Sequence, residues 1–144
     1  MAFTSYNLLT AIQHTHSSSR LNMQPTLWIA SAACAAIIAI GSRFILSPRV
    51  AMTGFGVSPD SPKAQRALTE IKGIRDITSG VVPIVVWAVA GPQALGWVLI
   101  AAALTPIGDM MIVLSNGGKT SEALGIHGFT AVLLVATGLT LALG

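Results

Sequence analysis

The sequence predicts an all-α integral membrane protein, folded as an up-down-up-down bundle of four helices. Composition is the first observation behind this prediction: of 144 residues, 53% are hydrophobic and 9% are charged, whereas a typical soluble domain is about 25% charged. The mean hydropathy of +0.74 agrees with it. The second observation is spacing, because the apolar residues form four runs that each approach the roughly 20 residues needed to cross a hydrocarbon core.

Residues 1–26 form the predicted N-terminal tail, which we expect to be disordered or weakly structured. They are polar and Ser-rich, with no long apolar run and a single basic residue, Arg20. A secretory signal would need a basic start followed by an apolar segment, so none is expected. The four-span membrane domain is predicted over 27–144. Its first helix covers about 27–46 and ends before Pro48, because the residue that precedes a proline disfavours the helical conformation.

The remaining helices follow a long loop predicted over 49–69. Within this loop Pro62 suits the first turn of a helix, which leads into a second span over about 71–90. The third span is predicted over about 94–114 and the fourth over about 121–143.

Breaker residues mark the joints between these spans. Gly91-Pro92 and the segment Ser115–Lys119 are predicted turns, because Gly-Pro and Asn-Gly dipeptides favour turns. Pro83 and Pro106 lie inside apolar runs, and we expect them to kink their helices, which membrane helices tolerate.

Basic residues give the bundle a predicted orientation. The loops after the first and third helices lie on the same side of the membrane. The basic residues on that side are Arg49, Lys63, Arg66, Lys72 and Lys119. The other side carries only Arg20. Because basic loops stay cytoplasmic, both termini of this multi-pass protein are predicted on the non-cytoplasmic side, in the endoplasmic reticulum if the source is fungal. Trp28, Trp87 and Trp97 fall at the non-cytoplasmic interface, as an aromatic belt would.

Several ionisable side chains interrupt the apolar runs at a similar depth. Each raises the free energy of inserting a helix into the membrane by about 2.5–3.5 kcal/mol when it lies at the helix centre. We therefore expect these side chains to face the bundle axis and to serve a function. At 1.5 Å per residue they would lie roughly 5–10 Å below the cytoplasmic interface. The residues expected there, on four different helices, are Arg43, Arg75, Asp76, Asp109 and His127.

These groups predict a polar pocket with acid–base chemistry. The candidate catalytic residues are Asp76, Asp109 and His127, oriented by Arg75. An ion pair is expected between Arg75 and Asp109, and a second between Lys72 and Asp76 at i, i+4. A set of this kind could keep one aspartate charged and the other protonated, which isomerisation, cyclisation or epoxide opening of a lipophilic metabolite requires. The candidate substrate-binding residues are Arg43, Glu70, Thr78, Ser79 and Asn116.

Two other functions stay open. In a non-catalytic scaffold or membrane subunit the charged groups would satisfy one another, and a small proton-coupled carrier would need access from both sides. Membrane lipids, a lipophilic small molecule and a second copy of the chain are the expected partners. Nucleic acid is not expected, because the basic residues gather beside apolar spans. No cofactor or metal is expected either, since the chain has no HExxH, CxxC or phosphate-loop pattern and one cysteine, Cys34.

Five short motifs carry a resemblance to a known family. They are Phe55-Gly56-Val57, Lys72-Gly73-Ile74-Arg75-Asp76-Ile77-Thr78-Ser79-Gly80, Ala94-Leu95-Gly96-Trp97, Pro106-Ile107-Gly108-Asp109 and Gly125-Ile126-His127-Gly128. Over 27–144 the chain resembles a small four-span integral-membrane family, catalogued as a domain of unknown function and found in fungi and bacteria. The resemblance implies a membrane bundle and singles out Arg75, Asp76, Asp109 and His127. It implies no reaction, and a place in natural-product biosynthesis follows only by analogy with fungal members.

Overall fold

The computed structural model describes residues 2–47 and 62–144, with side chains described from Gln24 onward except that of residue 64. The described residues are almost entirely helical and contain no strand, which confirms the all-α class. The helices are α1 (Ala2–Leu46), α2 (Pro62–Ala102), α3 (Leu104–Ser115), α4 (Thr120–Glu122) and α5 (Phe129–Leu143), and a π-helical segment (Ala123–Gly128) joins α4 to α5.

Three helical segments of the described chain are long and apolar enough to cross a membrane: Gln24–Leu46, Gln65–Ser115 and Thr120–Leu143. Only 22–28% of each apolar window is buried inside the protein, so lipid is left to cover the rest. The second segment has 51 residues, about 77 Å at 1.5 Å per residue, more than twice the thickness of a hydrocarbon core of roughly 30 Å.

The first helix is longer than the predicted span. It begins at Ala2, so the residues expected to form a weakly structured tail are helical, and no Gly or Pro precedes Pro25 to interrupt them. α1 ends at Leu46, where the first span was expected to end. The predicted loop over 49–69 falls mostly outside the described residues, and α2 begins at Pro62, as that proline indicated.

The long second segment folds back on itself at Gly91. This glycine has φ 82° and ψ −177°, a conformation that is essentially restricted to glycine, and Pro92 follows it. Arg75 and Asp109, on either side of the bend, lie 2.9 Å apart although 34 positions separate them. The two arms therefore run antiparallel, as predicted for the second and third spans, while four membrane crossings stay a prediction. We call residues 62–90 the first limb of α2 and residues 92–102 its second limb.

Pro106 interrupts the helix between α2 and α3. A proline has no N–H to give to the carbonyl four residues earlier, and its ring crowds that carbonyl. Here the carbonyl belongs to Ala102, where α2 ends; Ala103 forms a turn, and α3 resumes at Leu104. Ala103 itself keeps helical dihedral angles, φ −62° and ψ −20°, and those at Pro83 are helical as well, so the kinks at both prolines stay predictions.

The predicted turn over 115–119 is confirmed, and its hydrogen bonds explain it. Gly117 has φ 73°, and its N–H donates to the carbonyl of Leu114 at 3.3 Å. The N–H of Gly118 donates to the carbonyl of Val113 at 2.8 Å. This pair of bonds is the Schellman motif that commonly ends a helix at a glycine.

Glycines set the distance between α1 and the first limb of α2. A Cβ added to Gly73 would lie 2.7 Å from the carbonyl oxygen of Gly41, and one added to Gly80 would lie 2.6 Å from that of Cys34. Such close approach of backbones is typical of membrane helix contacts through small residues. The two contacts align these helices antiparallel.

The second limb of α2 packs on α5 in the same way. A Cβ on Gly96 would lie 2.6 Å from the carbonyl oxygen of Gly138, and the side-chain amide of Gln93 donates to the carbonyl of Ala142 at 3.2 Å. The buried core joins these elements to α1 through Ala30, Cys34, Leu95, Leu99 and Leu141.

The three tryptophans share one level of the bundle. The register of α1 on the first limb brings Trp28 level with Trp87, and the hairpin brings Trp87 level with Trp97. Their side chains are exposed, by 74%, 37% and 54% respectively, as expected for rings that lie at a membrane interface. This level is at the opposite end of the bundle from Arg75 and Asp109.

Candidate functional site

A cavity of about 510 Å³ lies between the helices, within the range of roughly 300–1,000 Å³ that ligand pockets occupy. α1, both limbs of α2, α3, the π-helical segment and α5 all contribute to its walls. Most of the lining is apolar, from residues such as Ala33, Ile37, Ile40, Leu99 and Leu134. The polar lining residues are Arg43, Lys72, Asp76, Ser79, Thr105, Asp109, His127 and Thr130.

Lys72 lies at the centre of the charged groups. Its Nζ is 3.1 Å from Oδ2 of Asp76, one helical turn further along the first limb, and 3.3 Å from Oδ2 of Asp109 on α3. The ammonium also lies 5.4 Å from the centre of the Phe44 ring on α1, within the distance of a cation–π interaction. One cation thus holds two carboxylates and links three helices.

Asp109 contacts cations from two directions and lies close to His127. Nη2 of Arg75 donates to both carboxylate oxygens of Asp109 at 2.9 Å, and Lys72 donates to Oδ2. Nδ1 of His127 lies 4.0 Å from the same Oδ2. That distance exceeds a hydrogen bond, so the contact between the carboxylate and the imidazole is electrostatic.

Asp76 is the most deeply buried of the ionisable groups, with 2% of its surface exposed. α1 covers it at Gly41, where a Cβ would lie 3.0 Å from the Cβ of Asp76. Its Oδ1 accepts a hydrogen bond from Lys72 at 3.3 Å. Its Oδ2 lies 3.1 Å from Nζ of Lys72 in the ion pair but accepts no well-directed hydrogen bond from any described residue. Buried polar atoms are nearly always hydrogen-bonded, so this oxygen is suited to accept a proton or a hydrogen bond from a ligand.

His127 belongs to the π-helical segment Ala123–Gly128. A single π-helical turn changes the direction of the side chains that follow, and such turns occur frequently at functional sites. The segment places His127 against the cavity and against Asp109, with 17% of its side chain exposed. Thr130, three residues further on, lines the cavity on the same side.

The structure brings five of the nine predicted site residues to the cavity wall. Asp76, Asp109 and His127 line it together with Arg43 and Ser79. The hydroxyl of Ser79 donates to a backbone carbonyl of its own helix, at 2.9 Å.

The other four predicted residues do not line the cavity. Arg75 reaches the site through its ion pair with Asp109 at 2.9 Å and through a longer one with Asp76 at 3.9 Å. Glu70 pairs with Arg66 at 2.8 Å on the outside of the first limb. The side chains of Thr78 and Asn116 donate to carbonyls of their own helices, at 2.9 Å and 2.8 Å.

Phe44 and Thr130 are among the lining residues that the sequence did not identify. Thr130 follows His127 at i+3, a spacing that puts both on one helical face. Phe44 offered no polar signal, and its contact with Lys72 depends on how α1 packs.

One family model matches the chain, that of Domain of unknown function (DUF4267), over residues 34–141. The match includes every polar residue that lines the cavity. Searches of curated proteins and of solved structures gave no match. Because the family model covers well over half of the chain, the protein belongs to the family DUF4267, a domain of unknown function.

Proposed function

We propose that this membrane protein is a cofactor-independent acid–base enzyme that isomerises, cyclises or opens an epoxide of a lipophilic metabolite. One observation carries the proposal: Asp76, Asp109 and His127, from three different helical segments, line the same largely apolar cavity. A pocket with apolar walls and a few convergent ionisable groups is the usual form of a small-molecule site.

The contacts of the three residues favour different roles. Asp109 lies against Arg75 and Lys72, which stabilise its negative charge. Asp109, with Oδ2 4.0 Å from Nδ1 of His127, would orient the imidazole, and His127 is the proposed proton donor. Asp76 is the proposed proton acceptor, because it lines the cavity and its Oδ2, although 3.1 Å from Nζ of Lys72, accepts no well-directed hydrogen bond from a described residue.

The apolar part of the cavity supports the choice of substrate. Leu99 and Leu134 line the wall beyond the charged groups, and an apolar molecule that fills this space would exclude water. Exclusion of water strengthens the interactions of charged groups with a transition state. A lipophilic substrate also enters such a site readily, because it concentrates in the bilayer.

The basic loops support an orientation in which the charged end of the cavity lies at the cytoplasmic interface and both termini lie on the other side. In a fungal cell the membrane would be that of the endoplasmic reticulum. This arrangement would give the site access to cytosolic protons and to substrates made by enzymes of small-molecule biosynthesis.

Product analysis tests the proposal. Organic extracts of cells that carry the gene, lack it, or carry His127→Ala are compared by untargeted chromatography and mass spectrometry. Isomerisation and cyclisation conserve mass, and epoxide hydrolysis adds one water. We therefore expect a lipophilic compound to accumulate without the gene, while a partner of equal mass, or heavier by one water, disappears. Identical extracts from all three strains would contradict the proposal.

A scaffold is the second candidate, and the ion pairs favour it. Arg75–Asp109 and Lys72–Asp109 join α2 to α3, and buried pairs can hold helices in register without any activity. A scaffold does not need the cavity. Filling the cavity would leave a scaffold functional but would inactivate an enzyme.

A further inference from the structure

The cavity is elongated along α1. Its apolar lining lies toward one end of that direction and its charged lining toward the other. Its lining on α1 extends from Ala33 to Arg43, ten positions and thus about 15 Å of helix. Leu99 and Leu134 pack with Cys34 at the Ala33 end. At the Arg43 end lie the ionisable lining residues: Lys72, Asp76, Asp109 and His127.

Arg43 differs from the other cations of the site. Lys72 and Arg75 are both paired with carboxylates. Arg43 makes no ion pair or side-chain hydrogen bond with any described residue, although it lines the cavity from the last turn of α1. The cavity wall therefore includes, at one end, an arginine whose charge no described residue neutralises.

From this arrangement we infer that the ligand of the cavity is an amphiphile with an anionic oxygen head group, a carboxylate or a phosphate, whose head binds Arg43 and whose chain extends toward Leu134. The planar guanidinium of arginine matches both anions with two parallel hydrogen bonds. The inference rests on the proposed function, since it names the substrate class of the same site.

The register of the helices adds a consequence for the reaction. A Cβ on Gly41 would lie 3.0 Å from the Cβ of Asp76, so Asp76 lies about two positions deeper along α1 than Arg43, roughly 3 Å. A head group on Arg43 would thus place the first few carbons of the chain beside Asp76. The bond changes would occur near the head of the substrate and not in its tail.

A binding experiment with three probes of equal chain length tests the inference. Dodecanoate, dodecyl phosphate and dodecanol are titrated onto the full-length protein in nanodiscs of zwitterionic phosphatidylcholine, with empty nanodiscs as the blank. We expect at least one anion to bind about tenfold or more tightly than the alcohol, the worth of a hydrogen bond to a charged group. Comparison of the two anions identifies the head group.

Substitutions assign the preference to Arg43. Arg43→Gln should abolish the advantage of the anion and leave the affinity for dodecanol unchanged, and Arg43→Lys should retain part of it. Arg66→Gln is the matched control, because Arg66 is an exposed arginine that does not line the cavity, and it should bind like the wild type.

Two results would overturn the inference: no anion preference in the wild-type protein, or a preference that survives in Arg43→Gln. In the second case Arg43 serves only to contact lipid head groups at the interface. Binding is measured without turnover, so this inference can fail while the proposed reaction stands, and the reverse also holds.

Discussion

Arg75 and Asp109 close the hairpin of α2 and α3: Nη2 of Arg75 lies 2.9 Å from both carboxylate oxygens of Asp109. The pair joins the two arms on the far side of the bundle from the Gly91 bend. It also holds Asp109 where Lys72 and His127 approach it. One contact thus contributes both to the fold and to the candidate site.

The first prediction concerns the energy of this pair. Arg75→Gln and Asp109→Asn should each lower the free energy of unfolding in detergent, and the double variant should lose less than the sum. We expect a coupling energy of about 0.5–3 kcal/mol, the range found for residues in contact. The side chain of Arg75 is 46% exposed, which keeps the value below that of a fully buried pair. Strict additivity in the double-mutant cycle would show that the two groups do not interact.

The second prediction concerns the close contact between α1 and α2. A Cβ at Gly41 would lie 2.6 Å from the carbonyl oxygen of Gly73, so Gly41→Ala must push the helices apart and should destabilise the protein by about 1–3 kcal/mol. Gly108→Ala is the control, because no atom lies within 4 Å of its added Cβ. That change should be neutral or stabilising by up to about 1 kcal/mol, since alanine favours helix. Equal melting temperatures for Gly41→Ala and Gly108→Ala would show that α1 and α2 do not approach closely at Gly41 and Gly73.

The third prediction separates an enzyme from a scaffold by filling the cavity. Ala33 lines its apolar end, and Ala33→Leu would occupy space that the substrate chain needs. Product formation should fall about tenfold or more, while the melting temperature stays the same or rises, because the added methyl groups are buried. Ala36→Leu is the control, on the exposed face of the same helix. Full activity in Ala33→Leu would mean that the cavity is not the substrate site.

Much of the fold was predictable because its signals are local. Apolar runs of membrane length, the breaker Gly91 and the glycine turn after α3 each act within a few residues of sequence. The helix from Ala2 to Gln24 was not predicted, because low hydropathy says little about whether a polar segment is helical. The π-helical turn at His127 was not predicted either, because it depends on how that helix packs against its neighbours.

The sequence predicted the depth at which the site residues lie in the membrane, but not the direction in which their side chains point. Counting residues from the helix ends brought Asp76, Asp109 and His127 to one level, and the structure places them in one cavity. Counting could not show which way each side chain turns. Glu70 and Thr78 lie on the same limb as Asp76, yet hydrogen bonds within their own helix hold them away from the cavity.

The fourth prediction concerns orientation. In a Cys34→Ala background, a cysteine at Asn116, in the turn at the charged end of the bundle, should react with a membrane-impermeant maleimide from the cytosolic side. A cysteine at Gly144, at the tryptophan end, should react only from the opposite side. Both positions are exposed. Labelling with the sides exchanged would place the charged end of the cavity away from the cytosol and would overturn the proposed topology.

The most direct test of the central claim is the rate of product formation by Asp109→Asn in isolated membranes. The amide keeps the size of the carboxylate but cannot carry the charge that orients His127, so the rate should fall about 10²-fold or more, the usual worth of a positioned acid. The protein should still insert and elute as the wild type does. Glu70→Gln makes the same chemical change outside the cavity and should keep the wild-type rate. A folded Asp109→Asn protein that turns over as fast as Glu70→Gln would show that the charged cluster only holds the helices together.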